Sequence, residues 1–124
     1  RIMSNSPQQK IYAIETKVVK KLRKSCINMR DYMDYVLGNH YDKTSDLSNH
    51  ALCLVCEMLS LNCKLITSLD NVLRDCPEIS NEQTDKKELI VPDVQLMMIE
   101  TSMMARSELS KILLTSSNIS THSH

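Results

Sequence analysis

The residues with the most chemical potential crowd one stretch of the chain: His50, Cys53, Cys56 and Cys63, with Cys26 and Cys76 to either side. A tetrahedral metal site needs four such side chains converging on one point, and a Cys-X-X-Cys redox site needs a strand-to-helix turn. Neither requirement is met. The apolar periodicity around these residues is helical, and each step of three along a helix turns the side chain by about 60°, which fans His50, Cys53 and Cys56 apart. The periodicity offers no strand anywhere. Unmodified thiols are expected, with no metal and no cofactor. Nucleophilic catalysis is not expected either. Of the four histidines, His122 and His124 lie in a Ser/Thr-rich tail, and His40 and His50 have no evident partner. With a single glycine, the chain has no Gly-rich phosphate loop.

Charge gives the next candidates. Fifteen basic and fifteen acidic side chains cancel, so no global field draws the protein toward polyanions. Locally, Lys10, Lys17, Lys20, Lys21, Arg23, Lys24 and Arg30 are opposed only by Glu15 before Asp31. Lys17, Lys20, Lys21, Arg23 and Lys24 form a basic partner-binding face opposite an apolar stripe. Such a face suits an acidic protein partner. Nucleic acid is disfavoured, because interleaved aromatics and a reading motif are lacking. Tyr32, Tyr35 and Tyr41 cluster with Asp31, Asp34, Asp42 and Asp46, and their rings are expected to pack over one end of the fold with wet hydroxyls.

The elements that position these residues follow from composition. Hydrophobic residues make up 42% and aromatics only 3%, so Leu, Ile, Val, Met and Cys must build the core. One Gly and three Pro argue for a few long helices. A first helix is expected over residues 7–37, capped by Ser6 with Pro7 in its first turn and Gln9 reaching back. Its stripe is Ile11, Ile14, Val18, Leu22, Cys26, Met29, Met33 and Val36, and Gly38 stops it. A second helix, capped by Thr44 or Ser45 and ended at Asp75 by Pro77, carries two apolar seams. Leu47, Leu54, Met58, Leu61, Leu65, Leu69 and Val72 make one; Leu52, Leu59, Ile66 and Leu73 make the other. It is therefore the middle helix.

Residues 77–91 read as a long polar loop with an apolar clip at Leu89, Ile90 and Val91. A third helix follows to Leu114. The fold class is all-α: an antiparallel up-down-up bundle of three long helices, with room for a short fourth segment in the 77–91 loop. The domain spans residues 7–114, between a flank at 1–6 and a disordered tail at 115–124. No unbroken apolar run approaches the roughly 18 to 20 residues that span a bilayer, and the first residues lack a signal-peptide core. The odd number of cysteines and their crowding favour a reducing compartment.

The third helix holds more apolar surface than a three-helix bundle needs. Val94, Met98, Ala105, Leu109 and Ile112 are expected in the core. Leu96, Ile99, Met103, Met104 and Leu114 are left as an apolar partner-binding face. The sequence thus reads as a non-catalytic protein–protein interaction module, part of a larger intracellular scaffold or regulatory protein in nucleus or cytoplasm. It would bind a helical or extended peptide of another protein, or a second copy of itself. The alternatives are a secreted ligand resembling the short-chain helical cytokines, and a nucleic-acid accessory protein using the basic face.

Overall fold

The computed structural model describes residues 10–43 and 47–122. The chain runs β1 (Ile11–Glu15), α1 (Thr16–Tyr41), α2 (Asn49–Asp75), β2 (Glu78–Asn81), β3 (Lys86–Pro92) and α3 (Asp93–His122). The all-α expectation is corrected. Three long helices are present, but they share the fold with a three-stranded antiparallel sheet of order β1-β3-β2, so the class is mixed α/β.

The sheet arises in the two stretches that the helical reading misassigned. The first helix begins at Thr16, because Ile11–Glu15 pairs with β3 in the register Ile11↔Pro92 to Glu15↔Glu88. Ile11, Tyr12 and Ile14 are β-branched or aromatic, types that suit an extended backbone once a partner strand is available. Their spacing of three imitates a helical stripe. The proposed cap at Ser6, Pro7 and Gln9 lies outside the described residues. The 77–91 loop is instead a hairpin in which Glu78↔Leu89 and Asn81↔Lys86 pair across a turn where Asp85 takes φ 55°. The apolar clip is the inner face of the central strand. Leu89 and Val91 are buried, while Glu88 and Ile90 beside them are half-buried, the alternation that a strand covered on one face requires.

Losing its first turns shifts the apolar stripe of α1. Val18 is half exposed and Val19 is buried, in phase with Cys26 and Met33. Gly38 does not end the helix, which continues to Tyr41; Lys43 takes the left-handed conformation instead, and Asp42 N–H bonds Gly38 O at 2.9 Å. On α2 the cap is Ser48, whose hydroxyl accepts from Ala51 N–H at 3.1 Å; Thr44 and Ser45 lie outside the described residues. The helix stops at Asp75, as expected from Pro77. Both seams of α2 are used, since it packs on α1 and on α3. Averaged over 18 residues, α2 is long and apolar enough by composition to cross a bilayer, a test that the core helix of a soluble protein passes as well. Within this fold Leu54, Met58, Leu65, Leu69 and Val72 are core, and Glu57, Lys64 and Thr67 face out.

The third helix overruns Leu114 and reaches His122, taking in most of the segment read as a tail. Two apolar clusters result. The first joins Val19, Leu65, Leu69, Val72, Leu89, Val91 and Ile99 under the sheet. The second joins Met33, Val55 and Met58, with Met29, Leu59, Leu109 and Leu113 packed around them.

A docked central strand makes a claim that a mobile loop would not. Val91 is fully buried, so Val91→Ala should destabilise the fold by about 2 kcal/mol, from the methyl groups lost and the void left. Denaturant unfolding measures this; an unchanged midpoint would restore the loop.

Candidate interaction surfaces

The sheet fixes the rotation of α3 and thereby decides which of its residues are available. Val91, buried, is followed by Pro92 and then directly by the helix, and Asp93 N–H bonds Lys10 O at 2.9 Å. With its first turn so tied, α3 turns Ile99 into the core, with Leu96 packed against the same cluster. Of the expected partner-binding residues, Ile99 is therefore core and Leu96 is half-buried against the same cluster. Met103, Met104 and Leu114 are exposed. Of the residues expected inside, Val94, Met98 and Ile112 face out instead, Ala105 is half-buried, and only Leu109 packs against a core cluster.

The outward face of α3 carries Val94, Met97, Met98, Thr101 and Met104, with Ile112 two turns on. At about 100° per residue these fall within one arc, in which Glu108 is the only charge. Val94, Met97 and Met98 with Thr101 and Ser102 border a shallow depression of about 470 Å³. Val94 is 61% exposed and Met104 70%. That is a contiguous apolar strip on a helix packed chiefly on α2.

Arg106 explains the rotation from the other side. A periodicity reading places a charge outward, yet this guanidinium reaches across the helices. It donates to Asn62 Oδ1 at 3.1 Å, to Cys26 Sγ at 3.0 Å and to Ser25 Oγ at 3.4 Å. Asn62 is fully buried and its amide also donates to Met58 O at 2.8 Å. Burial pushes the Cys26 thiol up, with the nearby guanidinium pulling the other way, so the thiol stays protonated at neutral pH. Cys76 is likewise raised by burial and lies 3.5 Å from Gln95 Oε1. Cys53, Cys56 and Cys63 are exposed on α2 and all five thiols are free. The strands that do exist lie away from these three. Among the described residues no group of three or more His, Cys, Asp or Glu is arranged to hold a metal.

The basic face gains from the sheet what the sequence did not suggest. Lys17, Lys20, Lys21 and Lys24 on α1 border an open groove of about 700 Å³, and Lys86 and Lys87 from the hairpin form its other wall with Glu15, Glu78 and Asp85. Arg23 belongs elsewhere: it pairs with Asp70 and ties α1 to α2. Thr16 donates its hydroxyl to Glu78 Oε2 at 2.7 Å, and Lys86 Nζ sits 2.8 Å from Glu15 Oε1. The hydrogen bond from Lys86 and its charge hold the Glu15 carboxyl below its ordinary value, and Glu15 raises Lys86 in turn. The expected packing of the tyrosine rings is corrected: Tyr32, Tyr35 and Tyr41 are all well exposed, and Tyr41 meets His40 edge-on at 5.5 Å. Asp46 lies outside the described residues.

Compared with family models, with curated proteins and with solved structures, the chain gives no match. Its surfaces have to be read from their own chemistry.

Two outcomes follow. Arg106→Met should cost about 1–3 kcal/mol by stranding the Asn62 carbonyl, and Asn62→Leu in the same background should cost less than the two changes summed. A double-mutant cycle by denaturant unfolding measures the coupling; strict additivity would show that the contact carries none. Glu15, with its folded pKa lowered, contributes stability that is present above its unfolded pKa and is lost as pH falls through the folded value. Glu15→Gln should therefore flatten the acid side of the stability–pH curve below about pH 5. Because Lys86 loses the partner that raises it, the same change should also lessen the fall of stability at the alkaline end, where Lys86 deprotonates.

Proposed function

We propose that the chain is a non-catalytic protein-interaction module, and that the outward strip of α3 receives an amphipathic helix of another protein. The observation that carries this reading is the strip itself: Val94, Met97, Met98, Thr101, Met104 and Ile112 exposed along one face. From residue 94 to 112 it extends about 27 Å, and its steps of three, four and seven match a helix laid alongside. Unbranched Met side chains adapt their rotamers to an incoming surface at small cost. Asp93 and Glu100 border the strip, and Glu108 lies within it between Met104 and Ile112, bridged by Lys111 at 3.3 Å. The matching partner helix thus has an apolar stripe flanked by basic residues. Of the residues in this strip, Val94, Met98 and Ile112 were expected in the core, and Met104 was expected on a partner-binding face.

The test is selection from a displayed library of amphipathic helical peptides against the whole chain, with the double variant Met97→Glu/Met104→Glu as counter-target. Basic-flanked apolar helices should be enriched on the native chain and should shift the amide resonances of residues 94–112. They should lose at least about tenfold in affinity to the variant, a little over 1 kcal/mol. Both side chains are exposed, so the variant should melt within about 0.5 kcal/mol of the parent. No enrichment over the variant overturns the proposal. So does a concentration-dependent dimer broken by the same two changes, which would make the strip a self-association seam.

A further inference from the structure

The lysine groove is a second surface, opposite in chemistry to the α3 strip and built from elements distant in sequence. Lys17, Lys20, Lys21 and Lys24 recur at steps of three and four along one flank of α1, and the hairpin sets Lys86 and Lys87 against them. Lys86 is committed to Glu15, and Glu78 is engaged by Thr16. Among the described residues, Lys17, Lys20, Lys21, Lys24 and Lys87 have no carboxylate within ion-pair distance. Glu15, Glu78 and Asp85 offset only part of this charge, and an incoming anion relieves the repulsion that remains among the lysines.

The groove does not end at the lysines. Past Lys21 and Lys24 it opens into a depression of about 430 Å³ bordered by Ser25, Asn28, Met29 and Tyr32. Its character changes there, from cationic to hydrogen-bonding and apolar. From this order we infer that the groove binds an extended acidic peptide segment of a partner protein. Carboxylates lie against Lys17, Lys20, Lys24 and Lys87, and an apolar residue beyond them lies against Met29 and Tyr32. Residues 17–32 of α1 rise about 22 Å, the length of about six or seven residues of extended chain. Ser25 and Asn28 meet backbone groups that such a chain leaves unpaired.

Nucleic acid fits this surface less well. Among the described residues Tyr32 is the only aromatic lining the groove, and single strands are held by successive stacking platforms. Glu15, Glu78 and Asp85 stand in the lysine wall, where they repel a uniformly charged polymer. A peptide can place neutral residues opposite them. The inference rests on reading the chain as an interaction module but not on the α3 strip, so the two surfaces fail or stand separately.

The test is fluorescence anisotropy of the full chain with a dye-labelled peptide of about seven residues, in which glutamates alternate with glycines and the last residue is leucine, in about 0.15 M salt. Saturable binding is expected. Lys20→Glu/Lys24→Glu should weaken it at least about tenfold, replacing the peptide leucine by serine or making Tyr32→Ser should weaken it several-fold, and Met97→Glu/Met104→Glu should leave it unchanged. Lys20 and Lys24 are exposed, so the charge-reversed chain should keep its thermal melt, which separates lost binding from lost fold. Absence of binding to the native chain overturns the inference, as does binding that survives the charge reversal. Tighter binding of single-stranded DNA or of a heparin oligosaccharide through the same lysines also overturns it, and assigns the groove to a polyanion.

Discussion

Asn62 has no exposed surface, and an amide so placed destabilises the fold by several kcal/mol unless its polar atoms are satisfied. Its nitrogen bonds Met58 O one turn back, and its oxygen is met only because Arg106 reaches in from α3. The same guanidinium contacts Ser25 and Cys26, so one side chain couples α1, α2 and α3. Along α2, Asn62 stands between Met58 of one apolar cluster and Leu65 of the other. The two clusters are non-directional and would tolerate sliding or rotation of α3. The polar joint between them does not, because hydrogen bonds weaken steeply when misaligned.

The second constraint acts at the sheet. Val91 and Leu89 anchor β3 in the core, β1 and β2 pair on its two sides, and α3 leaves β3 without a linker. The orientation of α3 is thus set twice, by the strand that feeds it and by Arg106 further along. Both settings turn Ile99 inward and Val94, Met97 and Met104 outward. The apolar strip on α3 follows from how the helix is held, since other rotations of the same sequence would bury it.

The sheet also assembles the basic groove. The hairpin carries Lys86 and Lys87 across to α1, where Glu15 and Thr16 fasten it through Lys86 and Glu78. The sequence already clusters four of these lysines on α1, and topology adds Lys86 and Lys87 to them. One fold therefore presents two surfaces of different character, an apolar strip with an acidic border and a cationic cleft.

Periodicity and breakers determined much of this protein. The second helix, its stop before Pro77, its two seams and its place between neighbours were legible because a wide apolar arc at helical spacing has one packing solution. The lysines of α1 and the apolar character of residues 89–91 were legible too. The sheet was not. Ile11, Ile14 and Leu89 to Val91 occupy segments too short for their spacing to separate strand from helix, and strand pairing is non-local, so only the partner decides. That α3 holds many apolar residues was legible too, but which of them are exposed was not. Met103, Met104 and Leu114 are exposed as expected, Leu96 and Ile99 are not, and Val94, Met98 and Ile112 face out instead of in. Apolar residues circle that helix almost completely, and Arg106, one of the two residues that fix its rotation, is a charge that periodicity places outside. Composition settles which helix has apolar surface to spare; only the tertiary contacts of Arg106 and Val91 decide which face of it meets solvent, because rotation about a helix axis is set by what the helix touches.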